Sequence, residues 1–339
     1  MNIQAKLERL VKDLYNPTSK DFQIGIWGTA RAGKTTYLTT LYNALMKSNR
    51  WYVEADDLAI NFVKEQSKRL QKRVFPMPTE LANPDNPEIF TYELTPRLEP
   101  SPMSKILPPP AKVVLSFIDA PGECYEDLEG VGSKILDYLS DCHGIIFLLD
   151  PFRAKEENKT YDDLLLDLCF EFQKRKRKCN LNTPQLQQYM SFCVTKIDQD
   201  QTLWNAQDSS DIVRQVIGQE MFTNLQENFA MTGRLNCYGV SAIGCHKNDK
   251  GKWQTNLVLP QRNGASPEII APKPAIPAYG WSNPDSDFAT PLQPAPSRPQ
   301  PKAAIRSDVI LEPRNVLEPL EWLIQSIQSR PPILISKGK

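Results

Sequence analysis

Apolar and polar positions change their period repeatedly along this chain. Short apolar runs typical of strands occur near residues 22–26, 89–94, 111–119, 144–150, 188–198 and 236–244. Apolar residues recur at helical spacing within residues 33–45, 54–73, 161–178, 211–229 and 315–327. The alternation predicts an α/β domain, and the wholly apolar run 144–150 predicts a strand that is buried on both faces.

Proline-rich stretches divide this pattern into segments. We expect an N-terminal amphipathic helix (1–20), a folded core (21–246), a flexible insertion (247–305) and a C-terminal helix with a tail (306–339). Eleven prolines fall between residues 260 and 301, and such a composition buries too little apolar surface to fold. The last helix is expected to cover the remaining face of the core sheet, so the insertion interrupts one domain.

Charge and cysteine usage limit the classes of partner and the compartment. The 40 basic and 40 acidic residues cancel, so no global field favours nucleic acid or a membrane surface, and no nucleic-acid partner is expected. No apolar run approaches the roughly 18 residues of a membrane span, so no transmembrane segment is expected. The seven cysteines include no CxxC pair, which indicates a reducing, cytoplasmic location.

Residues 21–45 carry the clearest chemical pattern. GTARAGKT lies between an apolar strand and an amphipathic helix, the context in which GxxxxGK followed by Thr forms a P-loop. Lys34 is predicted to lie between the β- and γ-phosphates of a nucleoside triphosphate, and the Thr35 hydroxyl to bind Mg2+. The predicted nucleotide-binding residues of this segment are Gly28, Thr29, Ala30, Arg31, Ala32, Gly33, Lys34, Thr35 and Thr36.

Three further strand ends carry polar residues. Asp119, in DAPG, is expected to face the same phosphate as the P-loop, because ligands of open α/β sheets bind beyond the carboxyl ends of the strands. Asp198, in TKID, can accept hydrogen bonds from N1–H and the exocyclic amine of guanine, while the stem of Lys196 lies over the purine. Ser241 and Ala242 follow the last strand, where their backbone is expected to contact the base oxygen.

The order GxxxxGKT, DxxG, TKxD resembles that of P-loop GTPases of the Ras-like, translation-factor (TRAFAC) type. The resemblance covers residues 21–244 and the terminal helix, and it implies a three-layer fold with a mostly parallel, six-stranded sheet and helices on both faces. Residues 21–246 would then be the GTPase core. The DAPGE form of the second motif, the late proline-rich insertion and the C-terminal helix are similar to bacterial double-GTPase domains.

The resemblance implies roles for individual residues and a GTP/GDP switch that uses Mg2+. Asp119 would hold the metal through water, the N–H of Gly122 would sense the γ-phosphate, and Thr79 would be the second protein ligand of the metal. The residues that would read guanine are Thr195, Lys196 and Asp198, with Ser241 and Ala242 beside them.

Two residues depart from the common pattern. Glu123 stands where many relatives have the glutamine that orients the attacking water, so slow intrinsic turnover is expected, with Glu123 either acting as a base or pointing away. Arg31 lies inside the P-loop, as in guanylate-binding proteins, where the arginine acts in cis when two molecules meet. The alternative for Arg31 is an exposed side chain that contacts solvent or phosphate in the ground state.

The sequence therefore supports a GTP-hydrolysing molecular switch with Lys34, Arg31, Gly122 and Glu123 as its catalytic candidates. The alternatives are a GTP-binding interaction module without hydrolysis and an ATP-dependent P-loop enzyme. The expected partners are guanine nucleotide and a protein effector or regulator that the sequence does not identify, with a second GTPase molecule as one candidate.

Overall fold

A computed structural model describes residues 22–76, 89–97, 112–118, 122–126, 130–153, 159–178, 185–258 and 304–329. Several sequence-based predictions lie outside these residues. They are the N-terminal helix, the candidate metal ligands Thr79 and Asp119, and most of the insertion.

The centre of the molecule is a seven-stranded, mostly parallel sheet with the order β2-β3-β4-β1-β5-β6-β7. Strands β4, β1, β5, β6 and β7 run parallel to one another, whereas β3 is antiparallel to both β2 and β4. The strands are β1 (Phe22–Gly28), β2 (Trp51–Ala55), β3 (Ile89–Pro96), β4 (Val113–Ile118), β5 (Gly144–Leu149), β6 (Tyr189–Val194) and β7 (Leu235–Gly239).

The α/β class and the parallel centre of the sheet agree with the sequence-based prediction, but the expected number of strands was six. The additional strand is β2, which pairs with β3 from Trp51↔Pro96 to Ala55↔Tyr92 and forms one edge of the sheet. The helical pattern was assigned from Glu54, yet the helix begins at Asp57, after Asp56 accepts a capping hydrogen bond from the Ala59 N–H.

Helices cover both faces of the sheet. They are α1 (Lys34–Lys47), α2 (Asp57–Gln71), α3 (Gly130–Asp141), α4 (Tyr161–Lys178), α5 (Gln201–Asn205), α6 (Ser209–Ile217), α7 (Gln219–Asn224) and α8 (Glu318–Ser329). Helices α1, α2 and α8 share one apolar cluster with the sheet, and α3, α4, α6 and α7 share the other. The architecture is therefore three-layered, as the resemblance implied.

The long helix predicted over residues 211–229 is interrupted. Helix α6 ends at Ile217, Gly218 has φ 83°, and α7 then continues into one π-helical turn, Leu225–Phe229. A positive φ stops helical propagation, and glycine adopts it without the steric cost that other residues would meet. The apolar periodicity continues through the break, because Ile217 and Met221 face the same cluster.

The C-terminal helix predicted over residues 315–327 is present as α8, with Pro319 in its first turn. Leu320, Leu323 and Ile327 are completely buried against the sheet. Helix α8 thus packs on the same face as the helix that follows the P-loop.

The beginning of the predicted insertion is structured. Strands β8 (Cys245–Lys247) and β9 (Trp253–Thr255) form a hairpin, so residues 247–258 belong to the folded part and the assigned boundary at 247 was too early. Strand β10 (Leu257–Val258) pairs antiparallel with β11 (Ala304–Ile305). Residues 259–303 lie outside the described residues, and their flexibility stays a prediction.

Candidate nucleotide-binding site

The predicted P-loop connects β1 to α1 at the carboxyl edge of the sheet. Gly28 ends β1, and an added Cβ would lie 3.1 Å from the Leu148 carbonyl oxygen of the neighbouring strand. Gly33 has φ 84° immediately before α1. A side chain at position 28 would crowd the neighbouring strand, and the positive φ at position 33 favours glycine. The loop has the strand and helix context of a phosphate-binding site.

Lys34 folds back onto the loop. Its Nζ donates to the carbonyl oxygens of Gly28 (2.8 Å) and Thr29 (3.0 Å), and it lies 4.6 Å from the centre of the Tyr125 ring. The cation is therefore held at the loop itself, within reach of a phosphate that binds there. Thr35 and Thr36 occupy the first turn of α1 and are partly exposed.

Arg31 has φ 61° and is exposed, and among the described residues its side chain makes no hydrogen bond. Its placement at the outer face of the loop fits both roles that the sequence left open. Ala30 and Ala32 differ in burial, because Ala32 is enclosed beneath the loop whereas Ala30 is partly exposed.

The candidate metal ligands and catalytic residues are only partly described. Thr35 is placed at the P-loop, whereas Asp119 and Thr79 lie outside the described residues. Gly122 and Glu123 are the first two residues of a 3-10 helix, Gly122–Tyr125. At these two positions the structure describes the backbone. Within the part of the chain that the structure describes, no group of three or more His, Cys, Asp or Glu side chains is arranged to hold a metal.

Asp198 lies at the end of β6, in a short 3-10 helix, and is buried. Its Oδ1 accepts from the Ser241 hydroxyl at 2.5 Å, and its Oδ2 accepts from the Thr255 hydroxyl at 3.2 Å. Burial raises the pKa of Asp198, and the two hydroxyl donors and Lys196 oppose that shift. Both oxygens of this buried carboxylate thus accept a hydroxyl donor from within the chain.

Lys196 adopts a left-handed conformation with φ 56°, and its Nζ contacts Asp150 Oδ2 at 2.5 Å. Asp150 is buried at the end of β5, so the ion pair ties the ends of two neighbouring strands together. The predicted contact of the lysine stem with a purine stays a prediction.

Thr195 links the TKID segment to the P-loop. Its buried hydroxyl lies 3.0 Å from the Ala32 carbonyl oxygen of the P-loop and 3.1 Å from the Leu149 carbonyl oxygen at the end of β5. One side chain therefore connects TKID directly to the loop around Lys34. The structure brings these two motifs together at one edge of the sheet.

Ser241 and Ala242 also reach this edge. The Ser241 hydroxyl contacts Asp198 as described, and its backbone exchanges two hydrogen bonds with Arg314 just before α8. The Thr40 hydroxyl of α1 donates to the Ala242 carbonyl oxygen at 3.4 Å. Both predicted residues thus lie between Asp198 and the helices α1 and α8.

Tyr161 contacts the P-loop through its hydroxyl group. The sequence-based analysis did not single it out. Its hydroxyl oxygen accepts from the Asp150 N–H at 2.7 Å and lies 3.1 Å from the buried Thr29 hydroxyl. Burial raises the pKa of Tyr161 to about 12. The helical pattern of residues 161–178 gave no sign that its first residue contacts the P-loop.

Two further contacts had no recognisable sequence signal. Thr255, on the β9 strand of the hairpin, reaches Asp198 from a segment that was assigned to the insertion. Glu126 contacts the P-loop, because its Oε1 accepts from the Ala30 N–H at 3.3 Å, and its Oε2 pairs with Arg153 at 2.9 Å. Neither residue belongs to a short motif of fixed spacing.

None of the helices in the described ranges combines the length and apolar character that crossing a membrane requires. Several cysteines of these ranges are free thiols: Cys142, Cys169, Cys193, Cys237 and Cys245.

Comparison with solved structures finds GTPase-type proteins at low identity. The GTP-bound GTPase-like domain of S. cerevisiae Ski7 is 17% identical over 68% of this chain and 45% of its own, with a TM-score of 0.37. A signal recognition particle receptor SRb-GTP/SRX complex from Chaetomium thermophilum is 16% identical over 66% and 92%, with a TM-score of 0.34. The elongation factor SelB from Methanococcus maripaludis is 14% identical over 66% and 30%, with a TM-score of 0.29.

This chain thus spans about a third of SelB and less than half of Ski7. A comparison with curated proteins finds no match. A family model described as Double-GTPase 2 matches residues 23–175, a segment that contains both the P-loop and DAPGE. The segment that contains the P-loop is therefore similar to Double-GTPase 2 domains.

Proposed function

We propose that this protein binds guanine nucleotide with Mg2+ and hydrolyses GTP to GDP and phosphate, acting as a cytoplasmic molecular switch. The observation that supports this best is the Thr195 hydroxyl, which joins TKID to the Ala32 carbonyl oxygen of the P-loop. A base-reading motif and a phosphate-binding loop that share a hydrogen bond are placed to hold the two ends of one nucleotide.

Each end offers suitable chemistry. Asp198 presents a buried carboxylate that already accepts two hydroxyl donors, and N1–H and the exocyclic amine of guanine would offer two N–H donors in the same region. At the other end, Lys34 would exchange its two loop carbonyls for phosphate oxygens, which bind an ammonium group more strongly because they are charged.

Mg2+ is part of the proposal through the Thr35 hydroxyl, with Asp119 and Thr79 as its further candidate partners. Oxygen ligands of this kind suit Mg2+, which would supply positive charge to offset that of the triphosphate when it is bound. Gly122 is proposed to contact the γ-phosphate, and Glu123, in place of glutamine, leads us to expect slow turnover without a partner.

Competition binding tests the choice of nucleotide. A fluorescent guanine nucleotide is displaced from the purified chain by GTP, GDP, ATP and XTP, with and without Mg2+. We expect GTP and GDP to displace it at concentrations at least tenfold below those of ATP. Equal displacement by ATP would contradict guanine recognition and favour the ATP-dependent enzyme.

Asp198→Asn sharpens this test, because an asparagine amide can donate to the 2-oxo group of xanthine. The variant should lose guanine affinity and gain XTP affinity. Asp208→Asn is the matched control, because this exposed carboxylate only caps α6 through Ser210. An equal effect of both substitutions would place the base elsewhere.

Hydrolysis needs its own measurement. Phosphate release followed over hours at saturating GTP, with the Lys34→Ala variant as the background, should show slow turnover by the unmodified chain. Tight GTP binding without release above that background would instead support the interaction module without hydrolysis.

A further inference from the structure

The carboxylate of Glu126 lies against the P-loop and bridges two groups that attract anions. Its Oε1 accepts from the Ala30 N–H of the loop, and its Oε2 pairs with the Arg153 guanidinium. The side chain of Arg153 is 6% exposed and that of Glu126 is 23% exposed. The mouth of the loop thus already holds one anionic group, supplied by the chain itself.

The Arg153 guanidinium packs on the ring of Tyr161. Its guanidinium lies 5.1 Å from the centre of the Tyr161 ring, and the Tyr161 hydroxyl contacts both Thr29 of the P-loop and the Asp150 N–H. Asp150 in turn accepts from the Phe152 N–H at 2.9 Å, which fixes the turn that leads to Arg153. A cation positioned in this way needs little rearrangement to meet a second anion.

A nucleoside triphosphate in the loop would compete with Glu126. The terminal phosphoryl group and the carboxylate carry the same sign of charge and prefer the same donors, a backbone N–H and a guanidinium fork. Because both anions cannot occupy one position, phosphate binding at the mouth of the loop displaces the carboxylate and leaves Arg153 facing the phosphate.

We propose that Glu126 holds the position of the terminal phosphoryl group in the nucleotide-free protein, and that Arg153 contacts that group once a triphosphate binds. The proposal rests on the proposed function and adds to it a charged side chain that, together with Gly122, distinguishes GTP from GDP. Arg31, in contrast, is exposed on the outer face of the loop, whereas Arg153 is buried beside it.

Affinities for GDP and for a non-hydrolysable GTP analogue test the proposal in the full chain. Arg153→Gln should weaken binding of the analogue about tenfold or more, and should change GDP affinity less than about threefold. Arg153→Lys keeps the charge but loses the guanidinium fork. Its affinity for the analogue should therefore lie between those of the unmodified chain and Arg153→Gln. Glu126→Gln should strengthen analogue binding several-fold relative to GDP, because it removes the competing charge.

Arg175→Gln is the matched control. This arginine also pairs with carboxylates, Asp137 and Glu171, but it lies near the other end of α4, about 21 Å from Tyr161 at the helical rise of about 1.5 Å per residue. It should leave the ratio of the two affinities unchanged. Thermal unfolding without nucleotide shows whether each variant is folded.

Equal loss of GDP and analogue affinity in folded Arg153→Gln would overturn the proposal and leave the pair as a structural link. If Arg153→Gln does not fold, Glu126→Gln decides the question, and an unchanged ratio of affinities in that variant overturns the proposal. Failure of the unmodified chain to bind either guanine nucleotide would instead refute the proposed function itself.

Discussion

At the scale of single residues, Ser241 is the centre of a hydrogen-bond network that includes Asp198. The Ser241 hydroxyl donates to Asp198 and accepts from the Gly244 N–H at 2.8 Å. Gly244 has φ 73°, and an added Cβ would lie 1.9 Å from the Glu312 carbonyl oxygen. The residue is therefore constrained both by its backbone conformation and by the chain that precedes α8.

We expect Gly244→Ala to lower the free energy of unfolding by about 2–4 kcal/mol, because left-handed strain and overpacking add together. Gly251→Ala is the control, since Gly251 has φ 72° but no atom within 4 Å of its added Cβ. It should cost only the strain, about 1–2 kcal/mol. Urea unfolding measures both, and equal losses would contradict the importance of the Glu312 contact.

The buried carboxylate of Asp198 predicts a pH dependence. Because burial raises its pKa, the folded protein binds this proton more tightly than the unfolded chain does. Acidification from neutral pH through the raised pKa toward the usual value of 3.8 should therefore stabilise the unmodified protein relative to Asp198→Asn. Guanine affinity should fall over the same range, because the protonated carboxyl loses acceptor capacity.

Unfolding free energies of the two proteins without nucleotide, measured at several pH values between about 4 and 7, check this expectation. The quantity compared is the difference between the two proteins, which cancels the contributions of other titrating groups. A difference that stays constant across the range, or that favours the variant at low pH, would show that the carboxylate does not titrate as expected.

At the scale of elements, apolar periodicity predicted most strands and helices but not their interruptions. Strand β2 was missed because it is only five residues long and its last two residues, Glu54 and Ala55, were assigned to the helical pattern that follows. The break at Gly218 was missed because Ile217 and Met221 continue the apolar face on either side of it. Both errors arise from tertiary context, which fixes where a pattern stops.

The hydrogen bonds of the Tyr161 hydroxyl connect the start of α4 to the end of β5 and to the P-loop. Tyr161→Phe removes the acceptor for the Asp150 N–H and the partner of the Thr29 hydroxyl, both buried. We expect a loss of about 1–3 kcal/mol in unfolding free energy and weaker nucleotide binding. The raised pKa of about 12 keeps this hydroxyl protonated throughout the physiological range. The loss of unfolding free energy should therefore not vary between pH 6 and pH 9, because pH 9 is still about three units below that pKa.

Tyr238→Phe serves as the comparison. Its hydroxyl accepts from the Asn236 side chain at 2.9 Å but is partly exposed, so water can replace the tyrosine. This substitution should cost less than about 1 kcal/mol. A Tyr161→Phe variant no less stable than Tyr238→Phe would show that the Tyr161 hydroxyl contributes little.

At the scale of the whole molecule, the segment 259–303 begins and ends at paired strands. Val258 lies opposite Ala304, and Leu257 and Ile305 share a small apolar cluster with Leu70 and Ile243. Directly opposed residues of antiparallel strands are about 5 Å apart, a distance that a short turn closes. The core therefore requires no more than a short connection at this point.

We expect replacement of residues 259–303 by a four-residue glycine and serine turn to leave the melting temperature within about 4 °C, which is the shift expected for about 1 kcal/mol in a domain of this size. Guanine nucleotide affinity should change less than about twofold. Thermal unfolding and the displacement assay measure the two effects. Loss of folding, or of nucleotide binding, would show that the segment contributes to the core.

The motifs of the site could be predicted from sequence because each requires particular residue types at fixed spacing, as in the loop around Lys34. Thr255, Arg153 and Glu126 could not, because they reach the loop and Asp198 from separate segments and only the fold brings them close. The seven-stranded sheet shows the same division, since its parallel centre followed from pattern and its edge strand did not.

The connection between α8 and the nucleotide edge has a consequence for protein synthesis. The Tyr37 hydroxyl of α1 donates to the Val316 carbonyl oxygen at 3.0 Å, and Arg314 pairs with Ser241. In a growing polypeptide, the glycine loop emerges hundreds of residues before the stretch that makes these two contacts. We therefore expect the chain to retain guanine nucleotide only after residues 314–316 have been translated.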